Sequence, residues 1–499
     1  MEIVLENKKR GCYREILHQI RHIQESTESV VPDVSDDIGK IASVQASVFL
    51  KSKDVSSNCV RIGGEAVASV LYITEKEDAV SCVRLSKNFR MEFESGEMDA
   101  AAIAQIALQI SNVEARVLNP RKISLIFEIS GELSAYLADE LVIDTLTDSE
   151  NEAGMHWKRE SLEATRLSGV CEKTLAIHEQ YSFPEGKAKP VQLVSQRAAL
   201  QITDTQQVGS KLIVKGNTNL SVCYLAEGLP YPICTEFSSP FSQLVDLGTE
   251  EQESCGVRAE LTSCYYDLVE TIGGGWALDA ELHALIQLVS CQSQKISYLS
   301  DVYSNRMPAE PEYRRCRIAC ITPRCFERHP LEERIPLPED CEDVLCVLSG
   351  LYQAAVCPGK LSAVLLVDVI YRNTEGKLAC MRRSISGEKD YPDEGLRLTD
   401  CRLSLLDARP EGKTLQVQAE LEFCLQKNSY TDYGSLCSLK LLEEQPYIPS
   451  ELPSLTLVRV EQQDLWELAR SYHSSTEKIL ACNGDEWEKL PYVLIPREL

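Results

Sequence analysis

Along 499 residues the sequence has no run near the roughly 20 apolar residues that a membrane-crossing helix requires, so no span is expected. The opening MEIVLENKKRG lacks the apolar core and small-residue cleavage site of a secretory signal, which places the expected location in the cytosol. Positive charge is scarce, with 51 Lys and Arg against 76 Asp and Glu and a formal net charge of -25. Binding to nucleic acid draws its affinity from clustered cations that displace counterions, so no nucleic-acid partner is expected. An acidic surface favours solubility and basic partners.

Catalytic patterns are missing as well. Seven histidines are spread along the chain, and none forms His-Glu-x-x-His or falls in a Gly-x-Ser-x-Gly elbow. HEQYS (178–182) sits in an alternating, strand-like stretch. No phosphate-cradling Gly-x-x-x-x-Gly-Lys-Ser/Thr loop occurs, and the triple glycine at Gly273 reads as a hairpin turn. The acid pairs Asp36-Asp37 and Glu339-Asp340 adjoin prolines at strand edges, where solvated or capping roles outweigh general acid–base chemistry. The densest group of metal-type ligands is Cys316, Cys320, Cys325 and His329. Its spacing is looser than a zinc knuckle, and Cys316 and Cys320 would share one face of a strand as core residues. Twenty cysteines are scattered from Cys12 to Cys482, and most read as small core residues rather than a disulfide framework. No catalytic residue, metal or cofactor is expected, and the chain reads as a non-enzyme.

What the sequence does contain is itself, repeated. GGEAVASVLYITEKEDAVSCVRLSKNF (63–89) resembles KGNTNLSVCYLAEGLPYPICTEFSSPF (215–241), with Gly64 and Gly216, Tyr72 and Tyr224, and Pro32 and Pro184 at one offset, 216 - 64 = 152. LSAVLLVDVIYRNTEGKLACMRRSIS (361–386) is a third copy, with Tyr371 in the tyrosine position. Each copy is preceded by a proline followed by a short aliphatic run: VVPDVSDDIGKIASV (30–44), FPEGKAKPVQLVS (183–195) and LPEDCEDVLCVLS (337–349). The proline and the aliphatics persist while the acids vary, so this element reads as the entrance to a repeated domain.

Downstream of each tyrosine come two alternating runs joined by a turn at Asn119-Pro120, Gly273 to Gly275 or Pro410 to Gly412. LQVQAELEF alternates apolar and polar residues, the period of a strand with one buried face. A chain of this length divides into several cores. The reading is mainly β: three repeated antiparallel domains, sandwich-like or barrel-like, at 1–150, 151–312 and 313–444. Local composition allows helix at Glu97 to Ile110 and at Tyr13 to Ser26, although the copy EKTLAIHEQYSFPE argues for strand at the second.

A proline-containing linker, 445–454, leads to a different tail at 455–499. Leu455 to Val460 reads as a strand, followed by a helix from near Asp464 with Leu465, Leu468, Ala469 and Tyr472 on one face. Ser474 or Ser475 caps a second helix, Asn483-Gly484 ends it, and Tyr492 to Pro496 returns as a strand. The order is strand, helix, helix, strand.

LWELARSY, SSTEKILACN and VLIP in this tail resemble the LysM domain. The family's first-turn glycine and threonine are replaced by Gln462, Gln463 and Asp464, and the Gly-Gln before its last strand is absent. In that family the two loops border a groove for N-acetylglucosamine chains. The repeats, their VVPDVSDDIGKI-type openings and ISYLSDVYSNRMP (296–308), with its Ser-Asp-x-Tyr-Ser element, resemble the SipL family of spore-coat morphogenetic proteins, which also end in one LysM domain.

The resemblance implies a non-catalytic scaffold in the mother-cell cytoplasm, at the forespore surface and in the spore coat. It would bind SpoIVA, the ATP-hydrolysing protein of the coat basement layer, through the LysM-like domain, with other coat proteins as further partners. Gln462, Gln463, Asp464, Trp466 and Trp487 are the partner-binding candidates, and Trp487 stands where LysM domains expose a loop. The alternative is a cell-wall protein that binds peptidoglycan through a retained glycan groove.

Overall fold

A computed structural model describes residues 2–33, 35–145, 154–184, 186, 188–248, 254–321, 325–357, 359–391, 396–448, 453–460 and 464–497. After a short strand β1 (Glu2–Val4), the first unit runs through β2 (Glu6–Val30), β3 (Ile38–Ser56), β4 (Cys59–Thr74), β5 (Val80–Glu94), β6 (Ile103–Asn119) and β7 (Lys122–Thr145). The second comprises β8 (Met155–Ser182), β9 (Pro190–Val208), β10 (Lys211–Ala226), β11 (Pro232–Asp246), β12 (Ser254–Glu270) and β13 (Trp276–Ser304). The third comprises β14 (Ala309–Ile321), β15 (Cys325–Pro336), β16 (Cys341–Cys357), β17 (Lys360–Asn373), β18 (Leu378–Asp390), β19 (Leu396–Glu411) and β20 (Thr414–Leu441).

Each unit forms two antiparallel sheets. In the first they are β3-β4-β5 and β2-β7-β6, with the tyrosine strand and the last strand central. The same order recurs as β9-β10-β11 with β8-β13-β12, and as β16-β17-β18 with β20 flanked by β15 and β19. Inward residues of both sheets share one core: Ile62 and Tyr72 from β4 lie with Leu125 and Phe127 from β7. Val214 and Val222 lie with Leu282 and Ile286 in the second unit, and Leu365 and Val367 with Val417 and Leu421 in the third. Two half-apolar sheets bury those faces only against each other.

The repeated glycines have a packing reason. A Cβ on Gly64 would stand 2.3 Å from the Phe89 ring, and one on Gly216 would stand 2.5 Å from Phe241. Each phenylalanine lies directly across the strand pair from its glycine.

The helix that local composition allows at 97–110 is not formed. Ile103 onward is strand β6, paired residue by residue with β7. Ala104, Ile106 and Ile110 are buried, and Gln287 of the second unit grips the Ile106 N–H and C=O at 2.7 Å each. Sheet pairing and this clamp override the helical preference of an alanine-rich run. Tyr13 to Ser26 lies within β2, as the repeat comparison indicated.

The three units close into a ring through equivalent contacts. Just after each tyrosine strand, Cys82, Cys234 and Cys380 point at the neighbouring unit. Cys82 donates to Val194 O at 3.2 Å, Cys380 donates to Ile41 O at 3.3 Å, and Cys234 Sγ lies 3.7 Å from Cys346 Sγ. A β-bulge in each receiving strand turns Ala42, Val194 and Leu345 into the same apolar hub. Val80 N–H donates to Pro230 O and Leu378 N–H to Glu77 O, both at 2.8 Å. At the second unit the donor position is Pro232, which has no N–H to offer.

Elsewhere on the ring, Arg397 of the third unit meets Glu15 of the first at 2.9 Å, with the Glu15 side chain only 7% exposed. Beside them burial, reinforced by the Arg397 charge, holds His18 below the ordinary histidine range.

Beyond the sheets, the long central strands continue as ribbons that pack together. Leu299 and Val302 from β13, Leu436 and Leu439 from β20, and Leu5 beside β1 form a separate core. Glu2 to Val4 pair with Ser438 to Lys440, so the start of the chain is built into the third unit's ribbon.

Candidate functional site

The tail forms the expected strand, two helices and strand: β21 (Leu455–Arg459), α1 (Leu465–Ser471), α2 (Thr476–Asn483) and β22 (Tyr492–Pro496). The Asp464 side chain caps α1 by accepting from Trp466 N–H, and Ser475 caps α2 by accepting from Lys478 N–H. Gly484, at φ 79°, ends α2. The Asn483 amide braces β22, accepting from Leu494 N–H at 2.8 Å and donating to Leu494 O at 2.6 Å. The core of this small module is Leu468, Ala469, Ile479, Val493, Ile495 and Trp487.

The same core contains Tyr303, which belongs to the ribbon of β13. A bulge at Ser300 shifts the register between Leu299 and Asp301. Leu299 and Val302 therefore enter the ribbon core, while Asp301 and Tyr303 face the module. Asp301 Oδ2 accepts from Trp466 Nε1 at 2.9 Å and from Arg470 Nη1 at 3.0 Å, and Oδ1 accepts from Tyr313 OH at 2.8 Å.

Burial alone would raise the Asp301 carboxyl. The Trp466, Tyr313 and Val302 donors and the Arg470 charge outweigh it and hold the group below its ordinary range. Tyr303 OH donates to Ser474 O at 2.9 Å, and its ring lies edge-on to Trp466 and stacks on His156. Asn305, 1% exposed, bonds His156 at 2.7 Å and fixes that stack. Lys158 reaches Asp464 at 3.3 Å, and Tyr447 from the linker packs on His473. The Ser-Asp-x-Tyr-Ser element is thus a cradle for the C-terminal module.

Of the five candidate residues, Asp464 and Trp466 face this cradle. Gln462 and Gln463 lie outside the described residues. Trp487 is 5% exposed, a core side chain rather than a loop-exposed one, because the turn at Trp487–Lys489 folds its indole under α2 and β22. The residues that sequence reasoning did not assign are Asp301 and Tyr303. They were visible as part of a motif, yet nothing local marks a contact with a residue 165 positions away.

The outward face of the module carries a different chemistry. Leu455 and Leu457 on β21 and Tyr492 and Leu494 on β22 are 54, 62, 52 and 38% exposed. Leu457 and Leu494 lie directly opposite each other. Four large apolar side chains on one small sheet form an exposed patch of the kind that marks interaction surfaces.

The remaining candidates are structural. Arg121 holds Asp37 at 2.7 Å and Asp33 at 3.3 Å, tying the entrance loop to the β6–β7 turn. Lys76 stands 3.6 Å from Asp36. Cys316 lies on β14 and His329 on β15, where the ring approaches Phe423; the side chains of Cys320 and Cys325 lie outside the described residues. Among the described residues no group of three or more His, Cys, Asp or Glu side chains is arranged to hold a metal. No helix of the described residues is long and apolar enough to cross a membrane.

A family model described as the SipL SPOCS domain matches residues 191–269, which span β9 to β11 and nearly all of β12. The chain is similar to SipL over this stretch, and the match supports a SipL-like, sporulation-related protein. Neither the curated proteins nor the solved structures compared with the chain gave a match.

Proposed function

We propose that the chain is a non-catalytic scaffold for spore-coat assembly, acting in the mother-cell cytoplasm at the forespore surface. In this reading three sandwich-like units form the body, and a LysM-like module at the C-terminus binds the basement-layer protein SpoIVA or a coat protein like it. The observation that carries the reading is the apolar outward face of Leu455, Leu457, Tyr492 and Leu494, an area suited to a protein surface. Binding to peptidoglycan is disfavoured because Asp464, in a loop that borders the family's glycan groove, is engaged by Lys158.

The test is a pull-down from cells that co-express the chain with SpoIVA. Deleting residues 455–499 and, separately, substituting Leu457→Asp with Leu494→Asp should each abolish capture while the ring still folds. Capture that survives both changes overturns the docking role. Sedimentation of the intact chain with insoluble peptidoglycan would instead support the glycan-binding alternative.

A further inference from the structure

At two of the three junctions in the ring, the inward cysteine meets no second sulfur among the described residues. The position that faces it in the receiving strand, occupied by Cys346 at the third junction, is Ser195 opposite Cys82 and Ser43 opposite Cys380, as the shared pairing with Cys223, Leu71 and Ile370 shows. Between the second and third units two sulfurs meet, Cys234 Sγ and Cys346 Sγ at 3.7 Å. Cys234 also has a partner within its own unit, because it is disulfide-bonded to Cys223 directly across the β10–β11 pair. A cavity of about 810 Å³ is lined by all three sulfur-bearing residues, which opens the group to solvent.

We propose that Cys234 is the shared sulfur of two alternative disulfides, Cys223–Cys234 within the second unit and Cys234–Cys346 across the second and third. The step between them is an isomerisation. Cys346 loses its thiol proton to hydroxide, and its sulfur attacks Cys234 Sγ. The Cys234–Cys346 bond forms as the Cys223–Cys234 bond breaks, and the electron pair leaves on Cys223, which takes up a proton from water. The number of disulfides is unchanged, and no external oxidant is consumed.

The two isomers differ in what they constrain. Cys223 and Cys234 are 11 residues apart and already paired through the sheet. Cys234 and Cys346 are 112 residues apart and lie on separate units, so that linkage closes a far longer loop and staples the ring. Burial pushes the Cys346 thiol up to about 12. Thiolate is therefore scarce at neutral pH, and exchange should quicken about tenfold per pH unit over the neutral to alkaline range.

The experiment uses the full chain, oxidised with glutathione disulfide and incubated at neutral pH or near pH 9. It is then acid-quenched, alkylated with N-ethylmaleimide and cut with trypsin and a Glu-specific protease, which separates Cys223 from Cys234. Non-reducing mass spectrometry should find both linkages in the wild type, with Cys234–Cys346 increasing at the higher pH. Cys223→Ser should give only Cys234–Cys346, formed with reduction of glutathione disulfide to two thiols, and should raise Tm relative to its own reduced form. Cys346→Ser should give only Cys223–Cys234. If the wild type lacks the Cys234–Cys346 linkage near pH 9, the proposal is overturned, whether it retains only Cys223–Cys234 or stays fully reduced. The wild-type measurement decides the matter even if Cys223→Ser does not fold.

Discussion

The ring and the C-terminal module are held by different kinds of contact. Where the units meet, buried aliphatic and cysteine side chains from all three merge into one hub, and the Glu15 carboxylate that faces Arg397 is only 7% exposed. Where the module meets the ring, one carboxylate and one aromatic ring account for most of the named contacts, and the Asp301 side chain is still 21% exposed. A many-sided apolar junction makes the units depend on one another. A narrow polar junction positions the module while leaving it separable. That contrast suits a chain whose body is structural and whose tail makes contact with a partner.

The largest effect should come from the ring. Phe127 is fully buried between the sheets of the first unit, and Phe127→Ala should cost about 3–5 kcal/mol. Calorimetry should show the ring transition moving down as a whole, whereas three separate transitions would mean that the units are independent. Arg397→Ala should cost about 3 kcal/mol because it leaves Glu15 buried without its cation. Adding Glu15→Gln should recover much of that loss, and a double-mutant cycle measures how much.

At the narrower junction, Asp301→Ala removes the acceptor for Trp466, Arg470 and Tyr313 and should weaken docking by about 2 kcal/mol. The expected signature is a red shift of Trp466 fluorescence and faster proteolysis in the 445–454 linker, with the ring transition unmoved. A ring transition that falls with it would erase the distinction between the two regions.

The pH dependence of docking has a definite sign. The folded-state pKa of Asp301 lies below its ordinary 3.8, so its contribution is complete above that value and is lost as the pH falls through the lower folded value. Trp466 emission should therefore be flat near neutrality and shift only below about pH 4. Asp301→Asn should lack that acid step. The smallest effect is local to the module: Ser475→Ala removes the α2 cap and should cost about 1 kcal/mol in the module alone.

Much of the strand content was legible in the sequence because side-chain alternation reports a half-buried strand directly, as in LQVQAELEF on β20. The module's strand and helix order was legible for a similar reason, since Asp464, Ser475 and Gly484 are local caps. The stretch from Glu97 to Ile110 was not, because its alanines favour helix, while pairing with β7 and a clamp from Gln287 of another unit hold its second half as strand. The burial of Trp487 was not legible, because the fold of a short turn, rather than any spacing, decides where its indole points. Asp301 and Tyr303 stood in plain view as a motif, but their role required knowing which surface the C-terminal module would reach.

The sequence by itself therefore determined the repeat, because its copies match at fixed offsets along the chain, and the strands with their turns and the local caps of the tail, because each depends on residues within a few positions of one another. Only the tertiary structure decided that the repeats close into a ring, that a bulge at Ser300 turns Asp301 toward Trp466, and that Cys234 lies between Cys223 and Cys346. These depend on contacts between residues one hundred or more positions apart, or on the single extra residue that sets which face of a strand a side chain occupies. Neither leaves a periodic trace along the chain.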